Sequence, residues 1–244
     1  MMAPIRSYTS WNSRQSNDIE QIEPYRHYYF ICEGQNTEKW YFEKFIDLRK
    51  EFSISSLIDV EYLEKTDEHS GWSNPKKLLE LSRSIRENGS ISFDSKRDVM
   101  VLVFDADIYE KQDKTVYDEL LLDAKIDNTV CVTNPNFELF LLLHYENSYD
   151  EVIEPNENAL LENDWVLVGD ERIRYSEYLF RNKSGLKPKQ DDTVAELANN
   201  VHTAIEQEKR MNNDVHKCRG KLTSSIGMML DKILKDKGIT NDLH

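Results

Sequence analysis

The chain has almost nothing from which to build a zinc module. Its three cysteines, Cys32, Cys131 and Cys218, are scattered through 244 residues. No CxxC pair is present, which argues against a ribbon or finger site. Cys32 and Cys131 sit in apolar runs and are expected to be buried thiols. There is also no long apolar run and no signal-peptide pattern, so no membrane span is expected and the default compartment is the cytoplasm. Internal repeats and a Walker-type phosphate loop are absent as well. Basic residues are in deficit: 31 Lys and Arg face 45 Asp and Glu, a formal charge of -14. A passive nucleic-acid coat must neutralise phosphates and is normally basic, so that class is disfavoured. A nuclease is not, because metal sites are themselves made of carboxylates.

What is present suffices for a folded core, with 39% hydrophobic and 10% aromatic residues. Three regions are expected: a flexible polar arm over 1–24, an α/β core over 25–148, and a mainly helical region over 149–244 packed on that core. Charge divides along similar lines. From Glu171 to Lys221 there are 11 basic and 8 acidic residues, whereas the remainder is strongly acidic. Such a segment either holds a polyanion or is ordinary surface scatter.

In the core, apolar runs suited to buried strands alternate with helical patterns. Strands are expected at 27–32, 57–63, 98–104 and 129–133, and helices at 38–50, 75–88, 114–124 and 136–146. Asn36 or Thr37 is a candidate cap for the first helix, and Asn74-Pro75 opens the second. The stretch 149–170 reads as an irregular acidic connector. Two further helical patterns follow, at 194–211 and 222–234. The alternation predicts a parallel-rich α/β sheet flanked by helices, with a helical C-terminal extension.

Open α/β sheets bind ligands beyond the carboxyl ends of their strands. Two expected strands end in acids: the first in Glu33, the third in Asp105-Ala106-Asp107. Residues two apart in extended chain point the same way, so both aspartates can face one site. If the strands are neighbours, Glu33 joins them. Hard oxygen ligands of this kind suit Mg²⁺ or Mn²⁺. The alternative for a lone DxD is a solvated turn.

Glu33-Gly34-Gln35-Asn36-Thr37-Glu38 after an aromatic strand resembles the EGxxTE motif of Toprim domains of the overcoming-lysogenization-defect kind. Asp105-Ala106-Asp107 looks like the Toprim DxD. The run TNPNFELFLLLH, from Thr133 to His144, is similar to a segment of RloB-like proteins, named for genes in restriction-modification loci. All three blocks match in order and spacing. The resemblance covers residues 26–146 well and the C-terminal helices more loosely.

The resemblance implies a Toprim-like core and a metal-dependent nuclease acting on DNA or RNA, tRNA included. Its setting would be antiphage defence, beside an ATPase of the ABC/AAA kind. Glu33 would be a ligand or general acid/base, and Asp105 and Asp107 metal ligands. Glu38 would be a further ligand or a first-turn carboxylate, and Glu138 a ligand or a dipole-favoured acid. Asn134 would contact phosphate or cap a helix. Lys187 is the family-matched candidate for the cation that offsets transition-state charge, with Lys183 and Lys189 as phosphate contacts; an exposed basic loop is the alternative. His144 is a proton carrier or a packed histidine. Two other functions stay open: a non-catalytic subunit docking on an ATPase, which the acidity favours, and primase-like phosphoryl transfer.

Overall fold

The computed structural model describes residues 7–8, 24–65, 74–110 and 114–238. Eight strands are described: β1 Ser7–Tyr8, β2 Arg26–Cys32, β3 Ile58–Leu63, β4 Val99–Asp105, β5 Thr129–Asn134, β6 Trp165–Val168, β7 Glu171–Arg174 and β8 Thr223–Ser224. The α-helices are α1 Thr37–Asp47, α2 Pro75–Glu87, α3 Asp107–Glu110, α4 Lys114–Ala124, α5 Phe137–Leu142, α6 Glu157–Glu162, α7 Tyr175–Ser184, α8 Val201–Glu208 and α9 Ile226–Lys235.

Six strands form one sheet in the order β1-β3-β2-β4-β5-β8. The inner four are parallel, and β1 and β8 close the edges antiparallel. This is the helix-flanked, parallel-rich architecture expected, and it is consistent with a Toprim-like fold. The inner strands bury both faces, which is why they read as continuous apolar runs. Tyr28, Phe30, Cys32, Val60, Tyr62, Val101 and Val103 point to a core shared with α1, α5, α8 and α9. Tyr29, Ile31, Met100, Leu102 and Phe104 point to the opposite core, under α2 and α4. All three cysteines are buried and unpaired.

Chain order sets the position of the site. The chain leaves β2 through α1 to β3 on one side, then returns through α2 to β4 on the other side of β2. The crevice between the carboxyl ends of β2 and β4 is therefore a topological switch point.

Several expectations are corrected. Of the arm over 1–24, Ser7 and Tyr8 form edge strand β1 against β3; most of the rest lies outside the described residues. The stretch 149–170 is not irregular: it holds a π-helical turn, a 3-10 turn, α6 and β6. The pattern at 194–211 begins as 3-10 helix, Asp192–Asn200, before α8. The pattern at 222–234 begins as strand β8, because Thr223 and Ser224 pair with Asn134 and Thr133.

That junction depends on Glu208, 2% exposed at the end of α8. Its carboxylate accepts from Ser224 Oγ at 2.5 Å, Gly227 N at 2.8 Å and Met228 N at 2.6 Å. The two backbone donors belong to the first turn of α9, whose N–H groups have no intrahelical acceptor. A side chain at Gly227 would meet the same carboxylate, with a Cβ 2.8 Å from Oε2. Glu208→Ala removes all three bonds and leaves a buried gap. It is expected to cost about 3 kcal/mol, read by chemical denaturation.

Candidate metal and catalytic site

Glu33 directly follows β2, and its backbone N–H continues the ladder by donating to Val103 O at 2.9 Å. β2 and β4 are paired in register, Cys32 opposite Val103, so the two acid-bearing strand ends lie side by side. The Asp105 backbone N–H donates to Glu33 Oε2 at 3.2 Å. Asp105 sits opposite Thr133 on β5, and Thr133 Oγ1 donates to Asp105 Oδ1 at 2.5 Å.

The EGxxTE segment wraps the same crevice. Gly34 has a steric role here: a Cβ would stand 1.9 Å from Glu38 Oε2. Its absence lets the Glu38 side chain fold back from the first turn of α1 over the backbone of residue 34. Glu138, 4% exposed in the first turn of α5, faces the crevice from the β5 side. Together Glu33, Glu38, Asp105, Glu138 and Lys189, with Phe137 and residues 34–37, line a cavity of about 330 Å³.

Two cations flank the acids. Lys65, just beyond β3, donates to the Glu33 backbone carbonyl. Lys189 Nζ lies 3.9 Å from Glu138 Oε1 and 3.3 Å from Glu177 Oε2. The loop carrying Lys189 is docked by the motif itself. Thr37 Oγ1 donates to Pro188 O at 2.7 Å, and Asn36 Nδ2 donates to Lys189 O at 3.3 Å. Asn36 makes no side-chain cap bond to α1, so both candidate caps of that helix instead hold a distant loop over the cavity.

The electrostatics follow from burial and like charge. Burial first, then the nearby charges of Glu38 and Asp107, push Glu33 up to about 7, against the pull of the Asp105 N–H and Lys65. Glu138 is pushed up to about 7 by burial, partly offset by Lys189. Asp105 rises well above the usual carboxylate range through burial and then Glu33 and Glu38. Glu38 is raised by burial, with Lys65 and Lys189 pulling the other way.

The aspartate pair does not behave as alternation in a strand predicts. β4 ends at Asp105, Ala106 is buried, and Asp107 begins α3. Asp107 is close enough to raise Glu33 electrostatically but is not among the residues lining the cavity. Lys187 is also displaced: its Nζ pairs with Glu171 at 2.7 Å, away from the acids. Lys183 lies in α7 and pairs with Glu151 at 3.3 Å. Asn134, 1% exposed, neither caps α5 nor faces the cavity. Its amide donates to Glu110, to Cys218 O and to Lys221 O. His144 is a packed histidine, with Nε2 2.8 Å from the Tyr41 hydroxyl and Nδ1 3.0 Å from Phe140 O; burial pulls it down to about 4. Thr133, Lys65 and Glu177 were not singled out by sequence. They reach the site through strand register and loop docking, for which no local pattern exists.

The pattern of motif blocks and this crevice can be set beside known families. The family description "RloB-like protein" matches residues 28–233. The chain belongs to the RloB-like family. Comparison with curated proteins and with solved structures gives no match. In this RloB-like chain the matched span runs from β2 into α9 and so includes every residue lining the crevice.

A second group could hold a metal ion at the opposite end of the sheet. Ligand atoms of His27, Asp59 and Glu61 all lie within 4.8 Å of one another. All three already have partners: His27 Nδ1 lies 3.2 Å from Asp98 Oδ1, Asp59 Oδ1 accepts from Arg49 at 2.9 Å, and the Glu61 carboxylate is hydrogen-bonded to Ser7. No three carboxylates of the crevice come that close together among the described residues. No helix among the described residues is long and apolar enough to cross a membrane.

Proposed function

We propose that this RloB-like protein is a Mg²⁺- or Mn²⁺-dependent nuclease that cleaves phosphodiester bonds in DNA or RNA. The observation that carries this reading is the convergence of Glu33, Glu38, Asp105 and Glu138 on one open cavity at the sheet's switch point, with Lys189 on its wall. The donor set fits a hard divalent cation, because every candidate ligand is a carboxylate oxygen. The raised acids support the same fit: their ionised forms repel one another in a desolvated crevice, and a cation would reverse that penalty.

Asp105 and Glu33 are the ligands of choice, with Glu38 and Glu138 completing the set and Asp107 at its edge. These residues would hold a divalent ion, whose charge would stabilise a phosphoryl oxygen and favour an attacking water. The protein's own contributions are separate. Thr133 orients Asp105 by its hydrogen bond. Lys189 places an ammonium where negative charge grows on the phosphoryl oxygens. An antiphage role beside an ABC/AAA-type ATPase, which the resemblance implies, is the biological setting in which we place this activity.

The test is incubation of the protein with DNA and with total tRNA, under Mg²⁺, Mn²⁺ or EDTA, alongside an Asp105→Asn variant. Cleavage that needs the metal and the aspartate supports the reading; cleavage undiminished in EDTA sinks it. The net charge of -14 favours one other reading, a non-catalytic subunit that docks on an ATPase. It predicts co-purification with a partner and no cleavage even in Mn²⁺.

The two lysines separate cleanly. Lys189→Ala is expected to reduce cleavage about a hundredfold, the usual loss for one preorganised donor. Lys187→Ala is expected to stay within about threefold of wild type, because its ammonium serves a surface pair with Glu171. Single-turnover rates would decide; equal losses would remove Lys189 from the site.

A further inference from the structure

β6 and β7 form a separate two-stranded sheet with Trp165 opposite Arg174 and Leu167 opposite Arg172. These four residues share one face, and Val166 and Ile173 share the other. The second face is the inner one: Ile173 is 6% exposed. The hairpin's Glu171 pairs with Arg181 of α7 and with Lys187. The outer face is unusual for a solvated strand surface. Trp165 is 50% exposed and Leu167 72%, and the other two positions are arginines.

The guanidinium of Arg174 lies 4.3 Å from the Trp165 ring centroid, and that of Arg172 lies 5.4 Å away. Neither arginine makes an ion pair among the described residues, whereas Arg181 and Arg210 are both paired with carboxylates. In a chain with charge -14, this outer face bears an indole and two cations with no acid among its four positions. A link of ion pairs runs from the hairpin to the catalytic cavity: Glu171 to Arg181, Arg181 to Glu177, Glu177 to Lys189, and Lys189 to Glu138.

We infer that the outer face of the β6–β7 hairpin is a docking surface for single-stranded nucleic acid. A base stacks on Trp165, while Arg172 and Arg174 meet the flanking phosphates. Aromatic stacking combined with a basic track is the general means of holding single strands without reading sequence. The charge complementarity favours this occupant over a protein. The inference rests on the nuclease reading and narrows its substrate class to strands with unpaired bases.

The experiment is fluorescence anisotropy with labelled oligo(U) and oligo(dT), in Ca²⁺ to hold back cleavage. It uses the full chain as wild type, as the triple variant Trp165→Ala/Arg172→Ala/Arg174→Ala, and as Asp105→Asn. The triple variant is expected to bind at least tenfold more weakly. Its salt dependence should be shallower by about 1.4 in log–log slope, because two phosphates are no longer neutralised. Trp165→Phe keeps a stacking face and is expected to restore most binding, which a merely structural role would not predict. Circular dichroism melts report whether each variant folds.

Binding by the triple variant within twofold of wild type overturns the inference, as does absence of oligonucleotide binding by the wild type. If the triple variant loses association with a partner protein while binding oligonucleotide normally, the face is a protein surface and the inference falls. Failure of the nuclease reading is distinguishable. A wild type that binds through the hairpin but cleaves nothing in Mg²⁺ or Mn²⁺ leaves this surface standing and removes the catalytic claim.

Discussion

Asp105→Asn is expected to lower metal-dependent cleavage by about a thousandfold, equivalent to ~4 kcal/mol in activation free energy. Asp105 ends the central strand β4, accepts from Thr133 at 2.5 Å and has its backbone tied to Glu33 at 3.2 Å. It is thus the most rigidly positioned acid of the crevice, and a preorganised ligand loses little order on binding. The same substitution is expected to leave the metal-free melting temperature unchanged or to raise it. An ionised carboxylate that burial and neighbouring acids disfavour costs stability, and a neutral amide of the same shape removes that cost. Single-turnover cleavage and thermal melts check both halves. Lost cleavage with lowered melting would indicate a folding defect. Retained cleavage would exclude Asp105 as a ligand.

The metal-free protein is expected to melt at lower temperature as pH rises from 5.5 to 8, and added Mg²⁺ or Mn²⁺ to restore it most strongly at pH 8. Glu33 and Glu138 are raised to about 7 in the folded chain, from an unfolded value of 4.5. Each therefore binds its proton more tightly when folded. The stabilisation this gives is fully present below 4.5 and is lost as pH climbs through 7. Metal binding requires the deprotonated acids, so it competes with protons at pH 5.5 and prevails at pH 8. At a hundredfold excess over Kd, binding stabilises by about 2.7 kcal/mol, roughly 5–10 °C for a chain of this size. His27, raised by Asp98, adds a loss of the same sign, so a Glu33→Gln/Glu138→Gln variant provides the baseline. Its melting should vary less with pH and respond weakly to metal. A wild-type melting curve insensitive to both pH and metal would remove the crevice as a cation site.

Most strands of the core were legible in sequence because they are buried on both faces: 98–104 has no alternation to obscure it, and it emerges as Val99–Asp105. Helix starts were legible where a local bond makes them. Asn74 accepts from Lys76 N at 2.9 Å as an ordinary cap. The errors came where a distant segment takes over a local preference. Thr37 and Asn36 have cap chemistry but bind the loop at 188–189. The start of the 222–234 pattern becomes a strand because the β5 edge offers unpaired backbone groups. Lys187 and Lys189 differ by two positions in one loop, and composition cannot tell which of them lines the crevice.

By itself, the sequence determined the acid-bearing strand ends at Glu33 and Asp105, the EGxxTE block from Glu33 to Glu38, and the family to which those blocks belong. These are local properties, set by strand pattern and by what lies within a few residues. Tertiary structure alone decided that β2 and β4 are neighbours across the switch point. It also decided that Asp107 begins α3 at the edge of the site and does not line the cavity, and that the cations at the crevice are Lys189 and Lys65. Each of these depends on register or loop docking between segments far apart in the chain, where the deciding energies come from partners no local window contains.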